Sequence, residues 1–294
     1  MFDLILIDFS WIYNKYYYVA STRPLHTLKD LRSNEFLVPT IRDMFLRFFS
    51  LIEKSHPTAH VLLILDPPLS STENFALCED YKQNRNKEEK RNVYERFKDI
   101  VGELSQQAPK RFSFLRAVGY EADQVIAYLA ETNQQNKKVL IFSGDKDLLQ
   151  LSYFPNVEIS EKYEKGMFLL KTDEDIFKKF KNNKGEDFTR ISTNKKDILK
   201  YRVLKGDVSD NLSPVFPRIK DTEIVNIIKN YWIDDMSEGL SEERIKDIIS
   251  DIKGDNKELA KKLKDNKEIW LRNFKLMNLY GLKDLPIKKV VKHG

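Results

Sequence analysis

Eight carboxylates are the side chains of this sequence whose type and spacing could do chemistry. They occur as two separate aspartates and three close pairs, and the four histidines and single cysteine show no metal-ligand spacing. If the acids converge, they repel one another strongly unless cations bind among them. Oxygen ligands without nitrogen or sulfur select Mg²⁺ or Mn²⁺. The eight residues are Asp8, Asp66, Glu121, Asp123, Asp145, Asp147, Asp207 and Asp210.

The chemistry that such a cluster supports is hydrolysis of a phosphodiester bond. Two ions ~3.5–4 Å apart form a clamp for in-line displacement, activating water and stabilising the leaving oxygen, so no separate general base is needed. The simpler interpretation of any one acid is a helix cap or turn residue. Capping alone is a weaker explanation where several acids occupy equivalent places.

Three short apolar runs are the elements that must position these acids. The runs are 4–7, 61–65 and 139–142, and the acids at their ends are Asp8, Asp66 and Asp145. Unbroken runs of this length, rich in branched residues, predict strands buried on both faces. In open α/β sheets ligands bind beyond the carboxyl ends of the strands, which is where these aspartates lie.

Helical segments alternate with these runs, at 41–54, 92–104 and 123–131, and the alternation predicts a parallel sheet in an α/β fold. The pair Glu121 and Asp123 then lies at a helix start. After a turn at Lys165-Gly166 the chain becomes lysine-rich and helical in pattern. Helices are predicted there at 198–204, 223–232, 243–252 and 259–271, and the tail from Leu285 to Lys292 is expected to fray.

Composition excludes several classes of protein. The 294 residues include 50 Lys and Arg against 45 Asp and Glu, a net charge of +5 that permits a nucleic-acid partner without requiring one. Cys78 is the single cysteine, so no intramolecular disulfide and no paired-cysteine metal site can form. The sequence shows no membrane span and no signal peptide, so a cytoplasmic location is expected.

A basic segment follows the second acidic strand end. Residues 81–116 hold ten Lys and Arg against five acids, with tyrosines interleaved. Basic side chains track phosphates, and aromatic rings stack on unpaired bases. A solvated helix face is the alternative for several of these lysines, but Lys82 and Arg85 follow closely on the Asp66 strand.

These residues together resemble the flap endonuclease/5′-nuclease superfamily, most closely its phage ribonuclease H branch of 5′→3′ exonucleases. The motifs come in family order and span about residues 1–212. They are LIDFS at 6–10, YKQNR at 81–85, YEAD at 120–123, SGDKDLLQL at 143–151, YFPNV at 153–157 and LKGDVSDN at 204–211.

The resemblance implies a PIN-like nuclease core with a central, mainly parallel sheet, a helical arch and a smaller helical C-terminal domain. The core is expected over 1–170, the basic arch over about 78–116, and a mainly helical DNA-binding domain over 171–294. The implied activity is removal of RNA primers and adjacent DNA from 5′ ends during lagging-strand synthesis, with cutting at flaps. Expected partners are DNA and RNA–DNA hybrid with 5′ ends or flaps, and replication proteins such as a single-strand binding protein or sliding clamp. The enzyme would be a monomer, in the host cytoplasm if phage-encoded.

The resemblance also assigns roles to residues. Six acids match the core ligands of two Mg²⁺ ions, with Mn²⁺ as a substitute, and Asp207 and Asp210 complete the second metal region. Lys82 and Arg85 match the basic residues that orient the scissile phosphate, and Tyr81 matches the residue on which a terminal base stacks. Further nucleic-acid contacts are expected from Lys87, Lys90, Arg91, Arg218 and Lys220.

Two positions depart from the family pattern. The family usually has Glu-Ala-Asp-Asp, whereas the fourth residue here is Gln124, an amide that can hold a metal-bound water but brings no charge. The glycine-rich hairpin that often follows the last acids is replaced by residues 212–220, which lack glycine.

Two rival functions remain open on the sequence. A PIN-like endoribonuclease can share the strand-end acids, although that family is shorter and lacks the Asp207 and Asp210 element. A non-catalytic, structure-selective DNA-binding protein that has lost a metal is supported only by Gln124.

Overall fold

A seven-stranded sheet forms the centre of the molecule. The computed structural model describes residues 1–22, 34–68, 71–83, 100–178, 194–233 and 239–290. The strands, in chain order, are β1 (Leu4–Asp8), β2 (His60–Ile64), β3 (Phe112–Ala117), β4 (Val139–Phe142), β5 (Val157–Glu164), β6 (Met167–Leu170) and β7 (Ile287–Lys289). Their order across the sheet is β6-β5-β4-β1-β2-β3-β7.

The middle of the sheet is parallel and its edges are antiparallel. β1 pairs in parallel with β2 on one side and with β4 on the other, while β6 and β7 are the antiparallel edge strands. Asp8 is in register with Ile64, and Ile7 is in register with Phe142. This confirms the predicted α/β class with a central, mainly parallel sheet, and it places the ends of the three acid-bearing strands side by side.

Helices cover both faces of the sheet. They are α1 (Phe9–Thr22), α2 (Asn34–Ser55), α3 (Glu73–Leu77), α4 (Ala122–Asn133), α5 (Asp173–Lys178), α6 (Asp197–Lys205), α7 (Asp221–Asn230), α8 (Glu242–Asp255), α9 (Lys257–Asp265) and α10 (Lys267–Met277). Residues 100–107 are also helical, although the residues just before them lie outside the described part of the chain.

Alternation along β1 divides the core into two clusters. Ile5 and Ile7 pack with the aromatic residues of α1 and α2, whereas Leu4 and Leu6 pack with α4 and the C-terminal helices. Successive side chains of a strand point to opposite faces, so one buried strand feeds both layers. All five residues of β1 are buried, as its unbroken apolar sequence predicts.

The C-terminal helices match the predicted segments with one exception. The segment 259–271 was predicted as a single helix, but α9 ends at Asp265 and α10 begins at Lys267. Asn266 lies between them outside helical geometry, with φ −124° and ψ 19°. Asparagine has low helix propensity and favours helix ends, which explains the break.

The expectation of a frayed tail is wrong for residues 287–289, which form β7 and pair with β3. Val290 extends the contact, because its backbone N–H donates to the Phe114 carbonyl at 2.7 Å. One hydrophobic cluster also runs from α4 to the C-terminal helices. The division into domains at residue 170 therefore stays a prediction, since no break in the described core marks it. No described helix is long and apolar enough to cross a membrane.

Candidate metal centre

The structure brings the three strand-end aspartates together at the carboxyl edge of the sheet. Asp8 ends β1, while Asp66 and Asp145 follow β2 and β4, which flank β1. Two serine hydroxyls fix the carboxylates: Ser143 Oγ donates to Asp8 Oδ2 at 2.8 Å, and Ser10 Oγ donates to Asp66 Oδ2 at 2.6 Å. Ser10 lies at the start of α1, after β1, and Ser143 follows β4. The two hydrogen bonds therefore join the carboxyl ends of neighbouring strands.

Helix α4 begins against this edge and brings two more acids. The backbone N–H of Ala122 donates to Asp66 Oδ1 at 2.8 Å, so the carboxylate lies at the positive end of the helix. Glu121 is the N-cap of α4 and Asp123 is in its first turn. The predicted helix start is therefore confirmed, and the capping interpretation holds for Asp66 as well.

Gln124 closes the cap of the same helix. Its Oε1 accepts a hydrogen bond from the Glu121 backbone N–H at 2.9 Å, and its side chain is buried. A side chain three residues into a helix commonly reaches back to the cap in this way. In this structure the amide oxygen of Gln124 is therefore paired with the backbone.

Lys82 pairs with the buried carboxylate of Glu121. Its Nζ donates to Oε1 at 3.0 Å and to Oε2 at 2.9 Å. Tyr81 Oη and Asn74 Nδ2 also donate to Oε2, at 3.0 and 3.3 Å. A buried carboxylate needs this degree of pairing. Lys82, predicted to act at the site, is therefore in contact with one of its acids.

Tyr81, for which stacking on a terminal base is predicted, is buried in this structure. The side chain is only 3% exposed, and Lys82 Nζ covers its ring at 4.7 Å from the centroid. Burial, followed by the charge of Glu121, raises the pKa of the Tyr81 hydroxyl, which remains a hydrogen-bond donor. A ring in this position supports Glu121 and presents no face to a base.

The turn after β4 carries Asp145 and Asp147 and is tightly packed. The Asp147 backbone N–H donates to Asp145 Oδ1 at 2.9 Å. Trp11 lies against Gly144, where an added Cβ would meet the indole Cε2 at 2.8 Å. The Trp11 backbone N–H in turn donates to Asp8 Oδ1 at 3.0 Å. Glycine is therefore required for the approach of α1 to this turn.

Asp207 and Asp210 lie in a short turn after α6. Gly206 ends that helix at φ +74°, where a Cβ would meet the Ser213 carbonyl carbon at 2.6 Å. Asp207 Oδ1 accepts from the Ser209 backbone N–H at 2.8 Å. The Asp210 carbonyl accepts from the Lys82 backbone N–H at 2.9 Å, which joins this turn to the Lys82 segment.

Arg202 is a buried residue of the site that the sequence analysis missed. It lies in α6 with 6% of its surface exposed. One guanidinium nitrogen donates to Asp147 Oδ1 and the other to Asp207 Oδ2, so the two turns share one cation. Its only signal in the sequence is a basic residue within a helix whose neighbours are apolar.

The acids differ in how their charge is compensated. Burial, followed by the charge of Asp66, raises the pKa of Asp8 to about 7. Desolvation, followed by the charge of Asp147, raises the pKa of Asp145 to about 6. Burial, followed by the charge of Glu121, likewise raises the pKa of Asp123. These three acids lie in an excess of negative charge.

Asp207 shows the opposite behaviour. Burial acts to raise its pKa, but hydrogen bonds from Ser209 and the charge of Arg202 outweigh it, and the pKa is lowered. On the side of the cluster nearest α6, the carboxylate of Asp207 is therefore already paired with a cation, the guanidinium of Arg202.

The donor set fits a hard divalent cation by its chemistry. It is composed of carboxylate and hydroxyl oxygens, and burial, together with neighbouring acids, raises the pKa values of Asp8, Asp123 and Asp145. Among the described residues, no three acidic, histidine or cysteine side chains are already arranged around one point as ligands.

The predicted nucleic-acid contacts are only partly described. Arg218 and Lys220 are exposed just beyond the Asp210 turn. Residues 84–99 are outside the described part of the chain, and their predicted roles stay predictions; these residues are Arg85, Lys87, Lys90 and Arg91.

Comparisons with known proteins agree with this geometry. The chain is 28% identical over 289 residues to a 5′-3′ exonuclease of Aquifex aeolicus, covering 97% of this chain and 84% of the relative. It is 26% identical over 286 residues to a 5′-3′ exonuclease of Mycoplasmopsis pulmonis, with 97% and 82% covered.

Solved structures share the fold. The bacteriophage T5 5′-exonuclease with bound divalent metal ions matches with a TM-score of 0.64 at 16% identity, over 94% of this chain and 89% of that one. The T5 flap endonuclease in complex with DNA and metal ions matches with a TM-score of 0.60 over the same shares. The model of the 5′-3′ exonuclease N-terminal resolvase-like domain matches residues 3–184. The chain therefore belongs to the 5′-3′ exonuclease family.

Proposed function

We propose that this 5′-nuclease hydrolyses RNA–DNA hybrid and duplex or flap DNA from 5′ ends, using two Mg²⁺ ions, or Mn²⁺ as a substitute. Its role would be removal of RNA primers during lagging-strand synthesis, in the manner of phage ribonuclease H. The observation that carries the proposal is the convergence of Asp8, Asp66 and Asp145 at one sheet edge. Their excess negative charge favours cations, and a nucleic-acid phosphate is the ligand that bound cations attract.

The residues that would hold the ions divide into two groups. The first surrounds the ends of β1, β2 and β4, and the second combines the N-cap of α4 with acids of the turns near α6. Bound divalent cations would activate a water and stabilise the leaving oxygen of a phosphodiester. The first group is Asp8, Asp66, Asp123 and Asp145, and the second is Glu121, Asp147, Asp207 and Asp210.

Lys82 is the residue that we propose orients the scissile phosphate. Its ammonium group contacts both oxygens of Glu121, within the acid cluster itself. A lysine is a compact cation on a flexible stem, so it can exchange one carboxylate oxygen for a phosphate oxygen by a small rotation. Arg85 is proposed to act with it.

Contacts with the duplex are proposed for the exposed residues beyond the Asp210 turn. Arg218 and Lys220 lie there, and the helices α9 and α10 add further lysines. Contacts of this kind go to phosphates, so they fix position and confer no sequence preference. The solved T5 relative in complex with DNA supports a nucleic-acid partner, and the T5 structure with metal ions supports the metal requirement.

A single cleavage assay tests the proposal. The purified protein is incubated with 5′-labelled flap DNA, RNA–DNA hybrid and single-stranded RNA, each with Mg²⁺ or with EDTA. We expect short 5′ products from the flap and the hybrid with Mg²⁺, and none with EDTA. Mn²⁺ should restore cleavage after EDTA treatment.

Other outcomes would contradict the proposal in distinct ways. Internal cuts in single-stranded RNA alone would identify a PIN-like endoribonuclease. Retention of flap DNA in a gel-shift without cleavage in either metal would identify a non-catalytic, structure-selective binding protein.

A further inference from the structure

The Arg202 guanidinium joins two acids, Asp147 and Asp207, on the side of the acid cluster nearest α6. One nitrogen donates to Asp147 Oδ1 and the other to Asp207 Oδ2, the latter at 2.5 Å. The two acids are far apart in sequence and belong to different turns. Arg202 is therefore the cation between them.

The three charged groups of this arrangement are largely buried. The guanidinium and both carboxylates are largely removed from water, with exposed side-chain fractions of 7%, 17% and 21%. A buried charge is stable only when its pairing is nearly complete, and loss of one partner leaves an uncompensated charge. The guanidinium and the two carboxylates therefore depend on one another, although with both acids ionised the three groups still carry a net charge of −1.

The strand-end acids Asp8, Asp66 and Asp145 form no direct ion pair with a described cation, although the charges of Arg202 and Lys82 act to lower the pKa of Asp145. Asp8 and Asp66 receive hydrogen bonds from serine hydroxyls and backbone N–H groups, which carry no net charge. Asp145 receives only a backbone N–H among the contacts that the structure shows. A divalent ion that enters between Asp8 and Asp66 meets carboxylates that have no bonded cation, whereas one that approaches Asp147 and Asp207 meets the guanidinium that is paired with both.

We infer that Arg202 occupies the place of one divalent ion, so that the protein without nucleic acid binds one ion tightly and the second only weakly. The inference rests on the proposed metal-dependent function and names the order in which the metal region fills. Arg202 is here a positioning residue, because it acts through Asp147 and Asp207 and touches no substrate. A phosphate backbone entering the site would supply further oxygen ligands and negative charge for the second ion, which offsets its repulsion by Arg202.

A purely structural role for Arg202 is the alternative. On that view the ion pairs only fasten α6 to the turn after β4, and removal of Arg202 weakens folding without changing the number of ions bound. Counting metal ions separates the two, because the structural role predicts no gain in affinity for a second ion.

The test is Mn²⁺ binding to the nucleic-acid-free protein, measured by electron paramagnetic resonance of the free ion. We expect the wild type to bind one Mn²⁺ tightly, with a second much weaker. In Arg202→Met the second ion should bind at least about tenfold more tightly, since a neighbouring like charge shifts ionic equilibria by that order. Arg202→Lys keeps the charge and should behave as the wild type.

The matched control is Lys205→Met in the same helix. Lys205 pairs with Asp221 at 2.7 Å, outside the acid cluster, so its removal should leave both affinities unchanged. Thermal unfolding is followed for each variant, and Arg202→Gln replaces Arg202→Met if the latter does not fold.

Two results would overturn the inference by different routes. Equal, tight binding of two ions by the wild type, or an unchanged second affinity in the neutral variants, would contradict the role of Arg202 alone. No Mn²⁺ binding by any variant would contradict the proposed metal-dependent function and the inference together.

Discussion

Gly144 shows how closely single residues are fitted around the acids. Its Cα faces the Trp11 indole, and α1 begins directly after Asp8. A methyl group added here displaces either the indole or the turn that bears Asp145. The contact between Trp11 and Gly144 therefore helps to set the position of Asp145.

We expect Gly144→Ala to destabilise the protein by roughly 1–3 kcal/mol, the usual cost of forcing a methyl group into a filled space. Mn²⁺ affinity should fall as well, because the backbone N–H of Trp11 donates to the carboxylate of Asp8 and a shift of Trp11 would move that carboxylate. Urea unfolding and Mn²⁺ titration measure the two effects. The control is Gly254→Ala, where an added Cβ meets nothing within 4 Å and stability should be unchanged or slightly raised. Equal unfolding free energies and Mn²⁺ affinities for Gly144→Ala and Gly254→Ala would show that the contact between Trp11 and Gly144 leaves room for a methyl group.

At the scale of elements, β7 ties the end of the described chain to the core sheet. Val290→Pro removes the N–H that donates to the Phe114 carbonyl and leaves that acceptor unpaired. We expect the free energy of unfolding to fall by roughly 1–3 kcal/mol. Mn²⁺ binding should be unchanged, because β7 is at the sheet edge beyond β3, away from β1 and β4.

Lys288→Ala is the control for this change. Its side chain is exposed, so its substitution should leave the unfolding free energy within about 0.5 kcal/mol. Equal stability of Val290→Pro and the wild type in urea unfolding would mean that β7 adds nothing to the fold.

The elements also show which parts of the structure the sequence could predict. β1, β2 and β4 are unbroken apolar runs, and burial on both faces of a parallel sheet produces that pattern. β3 and β5 are interrupted by charged residues such as Arg116 and Glu158, and their pattern did not distinguish them from loops. β7 depends on pairing with β3, more than 160 residues earlier, which no local pattern records.

The same reasoning applies to the site. The acids were predictable because strand ends place them at one edge. The partners of those acids were not, because Arg202 to Asp147 and Lys82 to Glu121 are contacts between distant parts of the chain. The burial of Tyr81 likewise follows from tertiary packing, and its motif position alone favoured an exposed ring.

For the whole molecule, the net charge of +5 does not record where the acidic and basic residues lie. Acids gather at the carboxyl edge of the sheet, where burial and mutual repulsion raise several pKa values. Exposed basic residues such as Arg218 and Lys220 lie beyond the Asp210 turn. With cations among the acids, the surface offered to nucleic acid would be markedly more positive than the net charge indicates.

The stability of the whole fold should depend on pH through His56. This half-buried ring lies against Phe2 and Phe168, and neither nitrogen has a hydrogen-bond partner among the described residues. Burial, followed by the charges of the N-terminus and Arg111, lowers its pKa below 6.5. The unfolded chain therefore takes up the proton first, and stability falls as the pH drops through 6.5.

Comparison of variants isolates this contribution. When the pH is lowered from 7.5 to 5.5, the free energy of unfolding measured in urea should fall less for His56→Phe than for the wild type. His60→Gln, at the exposed start of β2, should follow the wild type. An identical pH dependence for His56→Phe and the wild type would exclude His56 as the source.

Cleavage of 5′-flap DNA by Asp145→Asn tests the central claim most directly. Asparagine keeps the size of the side chain and the oxygen that accepts from the Asp147 N–H, and it removes only the charge. Under single-turnover conditions with Mg²⁺ we expect the cleavage rate to fall by about 100-fold or more, because a metal-bound charge supplies several kcal/mol of the rate enhancement. Flap binding in EDTA should be retained. Cleavage at the wild-type rate by Asp145→Asn would contradict the assignment of this acid cluster as the metal-dependent active site.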